Sequence, residues 1–310
     1  MRVSVVIPTY GRPQSLARCL DAIARQRRPA DETIVVVRGD DLASEQVARS
    51  RGAAVRVVRV DRPGVVAAMN AGIDASDGDV VALTDDDAAP HEDWLARLLA
   101  VYEGDPGVAA VGGRDRLHFD GRPWDGGSTQ RVGTISRIGV ITGNHHMGSG
   151  PPRDVDVLKG VNLSVRGGLL RELRIDERLR GVGTEHHWEL GLCLSLRRRG
   201  LRVVYDPEIA VDHFPQPRID DSREFRPEEL RDSTHNKAVA VLEHLPAPAR
   251  AAHRAWALAI GTGTEPGLAQ LLRARVRRAG GWARFRATQA GLRDAAHTVR
   301  RTRRGDTRLR

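Results

Sequence analysis

Lysine is nearly absent from this chain: of 49 basic residues among 310, only Lys159 and Lys237 are lysines. Cysteine is just as scarce. Cys19 and Cys193 both fall in helical patterns and form no metal-ligand spacing, which excludes a disulfide framework and a zinc ribbon and makes a reducing compartment the expectation. No apolar run approaches the ~18 residues of a membrane span. Met1-Arg2 leads straight into a strand-like run, too short a leader for a signal peptide. The sequence therefore predicts a cytoplasmic protein, soluble or peripheral at the inner face of the cell membrane. GxGxxG and GxxxxGK[ST] are both missing, which argues against an ordinary dinucleotide fold and a P-loop.

What is present is unevenly spread. The net charge is +9, yet Gln270 to Arg310 alone carries 13 arginines against Asp294 and Asp306, so the remainder is close to neutral. A neutral body with a basic end suggests an anionic partner such as an acidic membrane surface. Nucleic acid has only that tail in its favour and is not expected.

The stretch Gly78-Asp79-Val80-Val81-Ala82-Leu83-Thr84-Asp85-Asp86-Asp87 runs four buriable residues into three carboxylates. Like charges this close hold on to protons unless a cation sits among them, and hard carboxylate oxygens suit Mg2+ or Mn2+. The alternative is a solvated turn in which Asp87 caps a helix over 91–102. Around this stretch, Val3 to Ile7, Thr33 to Val37 and Val55 to Val60 read as strands, each followed by helical spacing such as Leu16, Leu20, Ile23 and Ala24. Alternation of this kind predicts an α/β fold with a mostly parallel sheet covered by helices on both faces. Ligands of such sheets gather beyond the carboxyl ends of the strands, so Thr9, Asp40, Asp41 and Asp85 to Asp87 should share one rim.

Val3 to Tyr10, the Asp40-Asp41 turn, Gly64-Val65-Val66-Ala67-Ala68-Met69-Asn70-Ala71-Gly72 and Leu83 to Asp87, in this order, resemble the nucleotide-sugar-binding half of family 2 glycosyltransferases, which have the Rossmann-like GT-A fold of nucleotide-diphospho-sugar transferases. The resemblance covers about residues 1–215, a nucleotide-sugar half over 1–112 and an acceptor half over 113–215, followed by a basic helical extension over 216–310. It implies an inverting transfer of a sugar from a nucleoside-diphosphate sugar to a hydroxyl on a glycan, a lipid-linked acceptor or a small molecule, with Mg2+ or Mn2+ as cofactor. It further implies that Pro8, Thr9 and Tyr10 line the nucleotide pocket, that Asp40 or Asp41 contacts base or ribose, and that the triplet holds ribose and metal, with Asp85 and Asp86 at the nucleotide and Asp85 and Asp87 at the ion. Arg38 departs from the family, whose members commonly carry aspartate there. Arg12 and Arg62 are candidate phosphate clamps. Asn70 can hydrogen-bond ribose or pyrophosphate, or fix its own helix. A GT-A-like nucleotidyltransferase would share the sheet and the acidic site, but Pro8-Thr9-Tyr10-Gly11 lacks the Gly-rich, basic signature such enzymes carry.

On the acceptor side, Gly-rich segments carry His145 and His146, which could contact an acceptor or merely bond their own loop. Lys159-Gly160-Val161-Asn162 resembles the segment that opens the acceptor side of the family, with Gly160 and Asn162 positioned toward a sugar. Glu185-His186-His187-Trp188-Glu189 resembles the helix bearing the family's Glu-Asp base motif, with His186 and His187 at the two acidic positions and Trp188 toward the acceptor. A neutral imidazole or a carboxylate can remove the acceptor proton. On a helix, 185 and 189 share a face that 187 does not. His187 is preferred by position, then Glu189, then Glu185; the His-His pair also leaves open a catalytically silent sugar-nucleotide-binding protein. His213, after the last strand, resembles the histidine that completes the family's metal shell beside Asp85 and Asp87. Helical patterns then run over 227–245, 248–260, 268–276 and 282–299, with Trp282 and Phe285 among arginines.

Overall fold

The structure is a computed structural model that describes residues 1–181, 183, 185–215, 225–272 and 281–303. In chain order its elements are β1 (Val3–Thr9), α1 (Pro13–Ala24), β2 (Glu32–Arg38), α2 (Leu42–Arg49), β3 (Arg56–Val60), α3 (Val65–Ala75), β4 (Val80–Leu83), β5 (Ala88–Pro90), α4 (Trp94–Gly104) and β6 (Val108–Phe119). Four two-residue strands follow: β7 (Arg122–Pro123), β8 (Thr134–Ile135), β9 (Ile141–Thr142) and β10 (Arg153–Asp154). The rest comprises β11 (Leu163–Arg166), α5 (Gly167–Leu173), α6 (Trp188–Arg198), β12 (Arg202–His213), α7 (Pro227–His244), α8 (Ala247–Ala259), α9 (Leu268–Leu271) and α10 (Gly281–Arg303).

The sheet order among the described residues is β10-β12-β6-β11-β4-β1-β2-β3. β1 pairs parallel with β2 and β4, and β2 with β3; β11 is inserted antiparallel between β4 and β6. The expected α/β fold with a mostly parallel sheet is therefore present, with β11 as an antiparallel insertion. Successive residues of a strand face opposite ways, and both faces of β1 are buried: Val3, Val5 and Ile7 pack with Leu16, Trp94 and Leu98 on one side, Val6 with Met69 and Ile73 on the other. This is why its sequence is a near-continuous apolar run. Because the strands are parallel, Thr9, the Asp40-Asp41 turn and the Asp85–Asp87 turn come to one edge.

The last strand before His213 is long and bulged: β12 spans Arg202–His213, and its register shifts between Asp206 and Ala210. Two local readings change. The helix expected from His91 begins at Trp94 with Asp93 at its N-cap, because β5 occupies Ala88–Pro90 by pairing with β12. Asp87 is thus no helix cap. The base-motif helix starts only at Trp188, behind His187 in the left-handed region at φ 67°.

The basic C-terminal region includes four described helices, and the expected helix over 268–276 is seen as α9, residues 273–276 lying outside the described residues. The region is joined closely to the sheet domain. Ala240 of α7 belongs to the main core, and Arg178 bonds both Asp176 (2.7 Å) and Glu243 (2.6 Å). Asn236 is fully buried; its amide donates to the carbonyls of Arg180 (2.7 Å) and His186 (3.1 Å) and accepts from Arg180 N–H (2.8 Å). Asn236→Ala leaves these backbone groups without partners and is expected to lower stability by about 2 kcal/mol in urea denaturation, against less than about 0.5 kcal/mol for an exposed control substitution.

Candidate active site

β4 delivers its buried apolar residues into Thr84, whose hydroxyl donates to the Val161 carbonyl (2.9 Å), and the chain then turns through the three aspartates. They do not share one role. Asp86 points inward, accepting from the Thr9 hydroxyl (2.7 Å) and pairing with Arg12 (3.3 Å). Burial raises its pKa to about 7, against the lowering effects of Thr9 and Arg12. Asp87 pairs with Arg12 (3.2 Å) and with Nε2 of His213 (3.4 Å). Its carbonyl also accepts from Phe214 N–H (2.9 Å), so the end of β12 is fastened beside the turn.

Asp85, Asp87 and His213 each offer a ligand atom, and these atoms lie within 4.8 Å of one another. Two carboxylates and an imidazole form a hard, net-negative donor set that fits Mg2+ or Mn2+. Behind His213, its Nδ1 lies 3.7 Å from Asp115, a carboxylate with no solvent exposure that is ion-paired to Lys159. Burial lowers the His213 pKa, but Asp115 and Asp87 outweigh it and raise it to about 9. Asp115 was not among the residues expected from sequence. Its signal was indirect: Lys159 is one of the two lysines kept in an arginine-rich chain.

The three candidate bases separate clearly. Glu185 accepts from the N–H groups of Val65 (2.8 Å) and Val66 (3.4 Å), capping the N-terminus of α3. Gly64 beside it has φ 115°, a conformation that favours glycine, and a Cβ there would displace the Glu185 carboxylate from this cap. His187 turns toward α7, with Nε2 3.2 Å from the Ser233 hydroxyl, and burial followed by Lys237 lowers its pKa to about 3. Glu189 lies in the first turn of α6; burial raises its pKa to about 7, while Lys159 lowers it and Asp85 raises it. Asp85 is thus among the charges that act on Glu189. The shared-face argument for 185 and 189 does not apply, since 185–187 precede the helix.

At the donor rim, Pro8 is half-buried and Tyr10 is exposed, with the Arg38 guanidinium 3.4 Å above its ring. Arg38 is held by Asp40 through two bonds (2.6 and 2.7 Å), which keep the Asp40 carboxyl below its usual range. Asp41 is turned inward: it caps α2 through Ser44 N–H (3.1 Å) and accepts from Gly11 N–H (2.6 Å). Arg62 pairs with Glu177 (2.7 Å). Asn70 exchanges two 2.9 Å bonds with the Ile175 backbone, which fix α3 to the segment after α5.

On the acceptor side, two expected contacts are inside the frame. Asn162 is wholly buried, accepting from Trp94 Nε1–H (2.8 Å) and donating to the Ile209 carbonyl (2.8 Å). His145 is buried with its ring on the Val157 carbonyl (2.9 Å). Gly160 is buried where a Cβ would lie 2.4 Å from the Trp188 indole, and Trp188 is 8% exposed, so this pair is a packing contact. His146 remains partly open, its ring 4.8 Å from that of the exposed Trp124 and tilted by 56°, a ring pair that sequence reasoning did not single out.

Comparison with known proteins gives this geometry a context. The family model for glycosyl transferase family 2 matches residues 4–153. An uncharacterized glycosyltransferase of Mycobacterium bovis is 31% identical over 221 residues, covering 69% of this chain and 86% of the relative. The chain belongs to glycosyl transferase family 2. Another relative, the glucosyl-dolichyl phosphate glucuronosyltransferase of Haloferax volcanii, is 33% identical over 118 residues, or 36% of this chain. The chain spans 38% to 59% of the length of its Haloferax volcanii relatives. Among solved structures, GalNAc-T7 with UDP, GalNAc and Mn2+ superposes with a TM-score of 0.62 at 14% identity, over 78% of this chain and 48% of that one. The likeness establishes the GT-A fold for this family 2 chain.

Two outcomes follow from the site. With Asp85, Asp87 and His213 as the candidate ligands, Asp115→Asn is expected to weaken Mn2+ binding by about 10- to 100-fold, read by titration of the free ion, since a buried carboxylate behind a histidine ligand would orient its ring. Because His213 must give up a proton to bind metal and its pKa is about 9, wild-type Mn2+ affinity should rise from pH 6 to pH 9, and that rise should flatten in His213→Ala.

Proposed function

We propose that the protein is an inverting, metal-dependent glycosyltransferase that moves a sugar from a nucleoside-diphosphate sugar to a hydroxyl on a glycan or lipid-linked acceptor, working at the inner face of the cell membrane. The observation that carries this reading is the convergence of Asp85, Asp87 and His213 at the strand ends, with Glu189 coupled to Asp85 from the acceptor side. Family membership and a fold neighbour solved with a sugar, UDP and Mn2+ support it.

In this mechanism Asp85, Asp87 and His213 would hold Mg2+ or Mn2+, and the bound ion would neutralise charge on the departing diphosphate as a Lewis acid. The remaining chemistry belongs to the chain's own side chains. Pro8, Thr9 and Tyr10 with the Arg38–Asp40 pair form the rim that receives the nucleotide. Asp86 keeps Thr9 and Arg12 in register and stays out of contact with the ribose. Glu189 takes the proton from the acceptor hydroxyl, which attacks the face of the sugar opposite the leaving diphosphate and so inverts the anomeric centre. A carboxylate with a pKa near 7 is a far better proton acceptor than one in the ordinary range, yet it is ionised above neutrality. An imidazole held down near 3 is a poor acceptor, which is why the base role moves from His187 to Glu189. Trp124 and His146 offer an aromatic surface for an acceptor sugar. The silent-protein reading drew on the His186-His187 replacement, and Glu189 supplies the carboxylate that seemed lost there.

The test is turnover of a nucleotide-sugar donor with Mn2+ in matched variants. Glu189→Gln should lower kcat by about 100-fold or more while His187→Ala stays within about fivefold of wild type; the reverse ranking would remove Glu189 from the base role. A base must be unprotonated, so at Mn2+ held saturating across the pH range kcat/KM should rise with pH through about 7 and level off above it. Asp87→Ala should abolish donor turnover; nucleotide binding without any turnover in wild type would favour a silent binding protein.

A further inference from the structure

The helices α8 and α10 present a surface that the proposed chemistry does not use. They run antiparallel, the Gln289 side chain donating to the Ala257 carbonyl (3.4 Å). At one end Arg250, Arg254, Arg300 and Arg303 line a groove of about 240 Å3 floored by Leu242, Ala251, Ala296 and Val299. Arg250 and Arg303 both donate to the same Leu242 carbonyl (3.4 Å each), so their guanidinium groups converge. Among the described residues none of the four is paired with a carboxylate. The one acidic residue in either helix, Asp294, is engaged on the other side by Arg180 (2.8 Å) and Arg231 (2.6 Å).

The opposite end of the helix pair gathers exposed apolar side chains among the described residues. Leu258, Ile260, Leu268, Leu272 and Trp282 are 47%, 49%, 50%, 76% and 60% exposed. They make up half of the ten large exposed apolar side chains described, gathered within 25 residues of a 310-residue chain. Helical spacing connects the two ends. Arg250, Arg254 and Leu258 recur at i, i+4 and i+8, and Trp282, Arg286, Arg293, Arg300 and Arg303 fall on one stripe of α10. α9 touches both helices and so brings Leu268 to the apolar end.

We propose that the α8–α10 face docks the protein on an anionic phospholipid bilayer. The guanidinium groups at the groove receive lipid phosphates, and Trp282 with the neighbouring leucines enters the boundary between headgroups and acyl chains. The proposal rests on the reading of the protein as a glycosyltransferase working at a membrane and specifies the surface by which it gets there. Charge complementarity selects the occupant: arginines without carboxylate partners at one end of the helix pair and exposed apolar side chains at the other, joined by a basic stripe along α10, match a surface that is negative at its headgroups and apolar just beneath. A nucleic acid would match the charges but leave the apolar end in water.

Co-sedimentation of the full chain with vesicles tests this. Binding should occur to phosphatidylcholine vesicles containing about 30% phosphatidylglycerol and not to phosphatidylcholine alone, and should fall away in about 0.5 M salt. The variant Arg250→Gln/Arg254→Gln/Arg300→Gln/Arg303→Gln should bind at least about 30-fold more weakly, at a few-fold per charge removed. Trp282 emission should shift to the blue on binding, and Trp282→Phe should remove that shift while leaving the protein folded. Equal binding to neutral vesicles, no binding, or unchanged binding by the four-arginine variant with a wild-type melting curve would overturn the proposal. So would retention of RNA, abolished in that variant, by a protein that ignores vesicles. Hydrolysis of a soluble donor, measured on the same samples, should be equal in wild type and variant. Vesicle binding by a protein with no donor turnover would sink the enzymatic reading and leave the surface standing.

Discussion

Three adjacent carboxylates at the end of a buried strand are the constraint to which the rest of the molecule answers. β4 must be apolar to lie between β1 and β11, and the chain then has to turn with Asp85, Asp86 and Asp87 packed against the core. Uncompensated, two buried carboxylates there would be strongly unfavourable. Asp86 is compensated from within the donor half by Thr9 and Arg12, and Asp87 is tied to His213 across the sheet. The division of labour inside the triplet follows: the middle residue fastens the turn, and the outer two face the site.

The same need for charge balance extends outward. His213 is positive in this arrangement because it lies between Asp87 and Asp115, and Asp115 tolerates full burial because Lys159 pairs with it. Lys159 also acts on Glu189, so donor and acceptor sides share one electrostatic network. Removing one member therefore leaves a buried charge without its partner, which is why outer residues with no ligand of their own matter to the site. The C-terminal helices belong to this network mechanically: α7 receives His187 and holds the loop before α6 through Asn236.

Much of the donor half was legible in the sequence because it depends on short-range pattern. β-branched runs closed by turns gave the parallel strands, and parallel strands bring Thr9, Asp41 and the aspartates to one edge. His213 was legible through family resemblance, and it does lie with Asp85 and Asp87. Asn70, Asn162 and His145 carry chemistry suited to ligand contacts; the alternative that Asn70 fixes its helix and His145 bonds its own loop matches the bonds seen, and for Asn162 the buried partners come from distant segments that local pattern does not show. His187 and Glu185 were weighed as helix residues, and a single left-handed residue ahead of Trp188 put them on separate partners. Asp115 sits in a strand whose partner strands could be ordered only from the folded chain.

The central claim is that the Asp85–Asp87–His213 site binds nucleotide-sugar through a divalent cation. A melting-temperature screen of nucleoside-diphosphate sugars with and without Mn2+ tests it most directly, because a ligand that binds the folded state raises its stability according to affinity. The predicted result is that at least one such donor raises the Tm of wild type only when Mn2+ is present, and that Asp87→Ala loses this shift. A donor-induced shift that is independent of the metal, or that persists unchanged in Asp87→Ala, would contradict it.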